Sequence, residues 1–188
     1  MAWMPSSPGN GARTGKRTGR TGFTLVELSV CLAVLTMLVA IGLPSFQRFR
    51  VRQQATATMH LLTSHFASAR MAAIVQDVPV VVCPSAGNGR CRQDSDWSDH
   101  WLAFRDPDGN RQPDEEIDIY RNDAAPSDPR IRIVSSNGRR FLRYQSSGLS
   151  YGTNLTVRIC HDGVVAGSVV VNSTGRARTV RGDMSTPC

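Results

Sequence analysis

One long apolar run dominates the chain. From Phe23 to Leu43 every residue is apolar or small except Glu27 and the hydroxyl residues Thr24, Ser29 and Thr36. As a helix rising 1.5 Å per residue it spans roughly 30 Å, one bilayer core. Pro44 follows and cannot donate to the carbonyl of Ala40, so a kink or local melting is expected there. Beyond it Ala55, Met59, Leu62, Phe66, Ala69 and Ala73 recur at alternating four- and three-residue steps, one stripe of a helix. That helix should reach about Gln76 and stop before Pro79. The stripe reads as core packing onto a sheet.

From Val78 the pattern turns to short β-rich runs. These are Pro79–Cys83, Trp101–Arg105, Ile117–Tyr120, Ile131–Ser135, Phe141–Tyr144, Leu155–Cys160, Val164–Val171 and Arg176–Arg181. Turn signals separate them: Gly87-Asn88-Gly89, Pro107-Asp108-Gly109-Asn110, Asn137-Gly138 and Asp162-Gly163. Leu155, Val157 and Ile159 alternate with Thr156 and Arg158, as in a half-buried strand. No repeat of fixed period interrupts this order. The expected fold class is α+β, a long N-terminal helix whose second half packs on a mostly antiparallel β domain.

At 188 residues the chain has the size of one domain, with 40% apolar residues and only 6% aromatic. Residues 1–22 carry Arg13, Lys16, Arg17 and Arg20 and no acid, so the basic flank precedes the apolar run. By the positive-inside rule the N-terminus stays cytoplasmic and the rest is exported. A Sec signal peptide has a shorter apolar core and a small-residue cleavage site after it. A plain signal anchor leaves Glu27 unexplained, because a carboxylate in an apolar span is costly unless paired or neutralised.

Gly22-Phe23-Thr24-Leu25-Val26-Glu27-Leu28 resembles the cleavage site of type IV prepilins and type II secretion pseudopilins. The resemblance implies that a prepilin peptidase cuts after Gly22 and that the new amine of Phe23 is methylated. It implies that Glu27 pairs with the N-terminal amine of a neighbouring subunit during filament assembly. A second resemblance, to the FimT/FimU/GspH branch of that family, rests on Val82-Cys83-Pro84, on Trp97 with Trp101–Asn110, on Glu115-Glu116-Ile117, and on Gly175-Arg176-Ala177-Arg178. The sequence departs from it at His100, where glycine is expected. The implied organisation is a leader at 1–22, a transmembrane helix at 23–44, an amphipathic periplasmic half-helix at 45–76 and a β domain at 77–188. The implied place is the inner membrane and periplasm of a Gram-negative cell, or the surface pilus. The implied partners are other pilins or pseudopilins in a filament, the peptidase and an inner-membrane assembly platform.

Cys31 falls in the apolar span and reads as an inert buried thiol. The other four cysteines lie in the exported region, where disulfides persist, and allow three connectivities. Cys83 and Cys91 enclose a glycine-rich hairpin tip, and Cys160–Cys188 would then tie the tail to a strand. Zinc is the competing reading, but there is no CxxC spacing, and His60, His65, His100 and His161 form no ligand pattern. Asp106-x-Asp108-x-Asn110 imitates a calcium loop, yet Arg111 stands where glycine is needed and Ile117 where the twelfth-position glutamate belongs. It reads as a polar hairpin turn. No cofactor and no metal is expected, and the absence of GxSxG, HExxH, P-loop and GxGxxG patterns points away from an enzyme.

Charge separates the two halves of the β domain. Residues 77–128 hold 5 arginines and 12 acids, net −7, whereas residues 130–188 hold 9 arginines and 2 acids, net +7. The two halves can neutralise each other within the fold or between subunits, or the second can present a basic face to a polyanion. Lys16 is the only lysine, so that face is built from guanidinium forks, which bind phosphate bidentately. In a strand Arg176 and Arg178 would share a face beside Gly175, with Arg181, Arg139, Arg140 and Arg143 extending the patch. The Gly-Arg-x-Arg run resembles that of FimT-type minor pilins that bind DNA in natural transformation, which makes double-stranded DNA a candidate partner. The alternative is a structural pseudopilin of type II secretion, or a pilus-priming minor pilin, that never touches DNA.

Overall fold

The computed structural model describes residue 22 and residues 24–136, 138–183 and 185–188, with the side chains of Pro44 and Arg48 left aside. The chain divides into two compact units between Leu43 and Pro44. Helix α1, Leu25–Gln76, contributes its first part to one unit and its second part to the other.

In the first unit Leu25–Leu43 is helical and its side chains are exposed throughout. An 18-residue window of this helix reaches a mean hydropathy of 2.4 with none of it buried in protein. Such a surface is stable only when lipid or neighbouring apolar helices cover it. The helix assignment continues through position 44, so the melting expected at Pro44 does not occur.

In the second unit the helix buries Ala55, Met59, Leu62, Phe66, Ala69 and Ala73, the stripe read from the sequence. It ends where Asp77 takes a left-handed φ of 52° and the Val78 N–H donates to the Ala73 carbonyl at 3.3 Å. That closure satisfies a carbonyl the helix would otherwise leave open, and Pro79 prevents resumption.

Among the described residues eight strands follow: β1 Val80–Ser85, β2 His100–Arg105, β3 Ile119–Ala124, β4 Ile131–Ser135, β5 Leu142–Tyr144, β6 Leu155–His161, β7 Val164–Val171 and β8 Ala177–Arg181. They form two four-stranded sheets, ordered β3-β2-β1-β5 and β4-β6-β7-β8, and every pairing is antiparallel. One core joins the helix stripe to Val80, Val82, Trp101, Ala103, Leu142 and Tyr144 of the first sheet and to Ile133, Val157, Ile159 and Val169 of the second. Each large side chain buried there contributes about 2 kcal/mol.

The sheets differ on their other faces. Behind the first sheet lies a second apolar cluster of Val81, Cys83, Leu102 and Phe104, so β1 is buried along its whole length. The second sheet has no such cluster among the described residues; on its far face the tail covers Cys160 through Cys188, and β7 alternates half-buried and buried residues. His100, the departure from the expected glycine, opens β2 and lays its ring against Gly87, where a Cβ would come within 2.9 Å of it.

Some expected boundaries shift. Ile117 is not in a strand: Glu116–Asp118 is a 3₁₀ turn, because the Asp118 carboxylate accepts the Glu115 N–H at 3.0 Å and pairs with Arg105. Phe141 precedes β5 and packs under Arg111, whose guanidinium carbon lies 4.5 Å from the ring centroid. Arg176 precedes β8. The Asn137-Gly138 turn falls partly outside the described residues.

Candidate functional site

At the start of the helix Gly22 is exposed, and Phe23 lies outside the described residues, as do residues 1–21. Thr24 and Glu27 cap the helix reciprocally. The Thr24 hydroxyl accepts the Glu27 N–H at 3.2 Å, and the Glu27 carboxylate accepts the Thr24 N–H at 3.4 Å. This is a capping box, and it places the one acid of the apolar run against the positive end of the helix dipole. The Thr24-x-x-Glu27 spacing was the available signal for it. Cys31 is a free thiol on the helix surface, exposed rather than buried in protein.

The remaining cysteines pair in the second unit. Cys83 bonds to Cys91 across a Cα separation of 5.6 Å, closing the tip that holds Gly87 and Gly89. Cys160 bonds to Cys188 across 6.0 Å and ties the tail to β6. Among the described residues no cluster of His, Cys, Asp and Glu has the makings of a metal site.

The arginines singled out in the sequence go to different places. Arg176 and Arg178 are exposed, and Asn172 holds the Arg176 N–H at 3.3 Å. Gly175 is buried at φ +77°, packed on the Gly148 carbonyl. Within β8 the side chains alternate, so Arg178 points away from the core while Arg181 lies on the core side, beside Met59 and Ala166 of the same hollow. Arg139 donates to the Gly152 carbonyl at 2.8 Å, and Arg140 is exposed.

Arg143 belongs to another face altogether. It sits on β5 of the first sheet, on the side opposite the main core, and pairs with the Asp106 carboxylate at 3.2 Å. It also donates to the Asp106 carbonyl at 2.9 Å. The Asp106 side chain is fully buried and that of Arg143 only 22% exposed. A guanidinium therefore occupies the mouth of the calcium-like loop, and a Cβ on Gly109 would touch it at 2.9 Å. Arg143 is removed from any surface patch.

The expected neutralisation between the two halves is confined to a few pairs. Asp106 meets Arg143, and Asp128 meets Arg130, which holds the Asp128 carboxyl well below its usual range, at about 2. Asp94, Asp96 and Asp99 gather on Arg92, Asp118 on Arg105, and Asp123 on Arg121, all within the acidic half. Arg132 and Arg158, which the sequence reading did not place in the patch, lie exposed on the far face of the second sheet with Arg178. Their signal was alternation: each stands between two buried apolar neighbours in a strand.

One buried histidine lies between helix and sheet. His65 is fully buried, its Nδ1 2.9 Å from Asp123 Oδ2 and its ring edge-on to Trp101. An ionised carboxylate only accepts, so the neutral ring carries its proton on Nδ1. Burial pushes the His65 pKa below 6.5, against the opposing pull of Asp123. A base with a depressed folded pKa contributes stability above its unfolded pKa that is lost as pH falls through the folded one. The melting temperature should therefore fall from pH 7 to pH 5, and His65→Gln should reduce that fall in a thermal scan. An unchanged pH dependence would mean that His65 does not titrate on unfolding.

The comparisons with known proteins agree with this architecture. The model of the family described as type II transport protein GspH matches residues 58–183, and that of the prokaryotic N-terminal methylation motif matches residues 17–43. The fold resembles the type IV minor pilin FimU of Pseudomonas aeruginosa strain PAO1 in two crystal forms. One aligns at TM-score 0.57 and 14% identity, covering 74% of this chain and 96% of that one. The other aligns at 0.52 and 14%, covering 71% and 96%. No curated protein matches the chain. A capped apolar helix with a methylation motif, continued by a half that packs on antiparallel sheets, defines a type IV pilin-like protein. Within that class the chain belongs to the GspH family.

Proposed function

We propose that the chain is a minor type IV pilin that enters a filament after processing and binds double-stranded DNA without sequence preference, as in natural transformation. Residues 1–22 form the leader, 23–44 the membrane helix with its N-terminus cytoplasmic, 45–76 the periplasmic half-helix and 77–188 the exported β domain. Cleavage falls between Gly22 and Phe23, the Phe23 amine is methylated, and the Glu27 carboxylate passes from its capping role to the amine of a neighbouring subunit. The match to the methylation motif over residues 17–43 supports this part. Mass spectrometry of protein from cells with a prepilin peptidase should find an N-methylated Phe23 terminus. The charge should drop from +7 to +3, because four basic residues leave with the leader. Any other N-terminus would remove the assembly reading.

The DNA reading is carried by one observation: Arg176 and Arg178 are exposed and, among the described residues, no carboxylate pairs with either. Phosphate contacts position a protein on the duplex and carry no base information. A gel-shift titration of the full chain in detergent should show binding that weakens steeply between low and moderate salt. The Arg176→Ala, Arg178→Ala double variant should lose about two units of the salt slope. Equal binding by that variant would favour the second reading, a structural pseudopilin of type II secretion, which the GspH family match supports.

A further inference from the structure

Strand register gathers more than the C-terminal arginine pair. On the far face of the second sheet Arg132 stands level with Cys160, and Arg178 stands level with Val170, which in turn faces Thr156. Arg158 lies between those two levels on β6. The three guanidinium-bearing residues thus form a diagonal row across β4, β6 and β8. With about 3.4 Å per residue along a strand and about 4.8 Å between strands, successive Cα atoms are roughly 8 and 12 Å apart.

The rest of that face holds Val134, Thr156, Ser168, Val170 and Val180, half-buried or exposed, together with the buried Cys160 and with Asp96, which stands opposite Val134 at the β4 edge and is drawn to Arg92 at 3.8 Å. Ser95 and Cys188 rim the shallow hollow between Arg132 and Arg158. Among the described residues none of Arg132, Arg158 and Arg178 has a carboxylate within ion-pair distance, whereas most acids of residues 77–128 are held by arginines elsewhere. A face with three guanidiniums that have no ion-pair partner among the described residues, with hydroxyls, and with its one acid already drawn to Arg92 suits a ligand that brings its own negative charge at regular intervals.

We propose that this face is the floor of the duplex DNA site, with Arg132 and Arg158 as phosphate-contacting residues beside Arg178. The proposal rests on the DNA reading above and extends it from a tail motif to a sheet surface. Each strand of duplex DNA offers a phosphate per about 3.4 Å of helix axis, so a row about 20 Å long passes several of them and three forks can each find one. Arg181 lies on the opposite side of β8 and takes no part. It therefore supplies a control of equal charge.

The test is fluorescence anisotropy of a labelled duplex with the full chain in detergent, titrated at several salt concentrations. Arg132→Gln, Arg158→Gln and Arg178→Gln should each flatten the slope of log K against log salt by about 0.9, the amount for one phosphate. Arg181→Gln should leave it unchanged, and circular dichroism should show that all four variants fold. If Arg132→Gln and Arg158→Gln behave like Arg181→Gln while Arg178→Gln weakens binding, the extended floor is wrong and the tail reading stands. If all four flatten the slope equally, binding follows net charge and the face is not the site. If the unaltered chain does not bind even at low salt, the DNA reading itself falls, and this proposal with it.

Discussion

Arg143→Ala will lower the melting temperature of the full chain by roughly 6–12 °C. Asp106 is buried; its carboxylate accepts the Arg111 N–H at 3.1 Å and has its opposite charge in the Arg143 guanidinium at 3.2 Å, which also donates to the Asp106 carbonyl at 2.9 Å. Removing one partner of a buried pair strands the other charge without water, at about 3–5 kcal/mol. The partial exposure of Arg143 places this case near the lower end, about 3 kcal/mol. In a domain of this size each kcal/mol moves the midpoint by about 2–4 °C. Arg143→Lys should recover only part of the loss, because one ammonium cannot meet both oxygens as a fork does. Asp106→Asn combined with Arg143→Ala should cost less than Arg143→Ala alone, since no buried charge then remains. Thermal scans of the three variants decide the matter. An unshifted midpoint for Arg143→Ala would mean that the guanidinium is free for an anion, as the sequence alone suggested.

That contrast shows where sequence reasoning reached and where it stopped. The helix stripe from Ala55 to Ala73 was legible, because a 3.6-residue period admits one buried face however the rest of the chain folds. The strand alternation from Leu155 to Ile159 was legible for the same reason with a period of two. Alternation says that Arg158 opposes the core. It does not say whether the other face is covered, and Arg143 and Arg158 carry the same local pattern. Arg143 falls on a sheet whose far side is closed by the loop carrying Asp106, and Arg158 on one whose far side is covered by the tail at Cys160 but leaves Arg158 itself exposed. Only strand pairing separates them. Arg176 and Arg178, two apart, were read as one strand face, but β8 begins after Arg176. Ile117 looked like a strand residue and instead projects from a 3₁₀ turn, 75% exposed, because Asp118 is drawn back to Glu115 and Arg105. The capping box at Thr24 and Glu27 was fully readable from spacing. The prepilin resemblance drew attention to the carboxylate's partner in another subunit and away from its partner three residues earlier.

Gly175→Ala tests how the Gly-Arg-x-Arg run is held. The glycine allows the turn before β8 to close: its φ is +77°, and a Cβ there would lie 2.1 Å from the Gly148 carbonyl oxygen and 3.2 Å from the Tyr144 ring. The first obstacle is backbone and cannot swing aside. The Gly148 carbonyl is also gripped by Arg70 of the helix at 2.9 Å, and the Ser150 hydroxyl, in the segment just after it, donates to the Asn172 carbonyl at 2.7 Å. Moving Gly148 away from an alanine therefore pulls on the helix, on β5 and on the loop that presents Arg176. Left-handed strain in a non-glycine residue costs about 1–2 kcal/mol and overpacking typically another 1–3. The midpoint should fall by roughly 4–20 °C at about 2–4 °C per kcal/mol. Arg176→Ala and Arg178→Ala, both exposed, should stay within about 0.5 kcal/mol of the unaltered chain. Thermal scans run beside DNA titrations then separate two meanings of the motif. Lost DNA binding with a lowered midpoint marks Gly175 as the residue that shapes the turn. Lost binding with an unchanged midpoint would mean that the backbone of Gly175 itself approaches the phosphate, and the packing against Gly148 would not be what fixes this position.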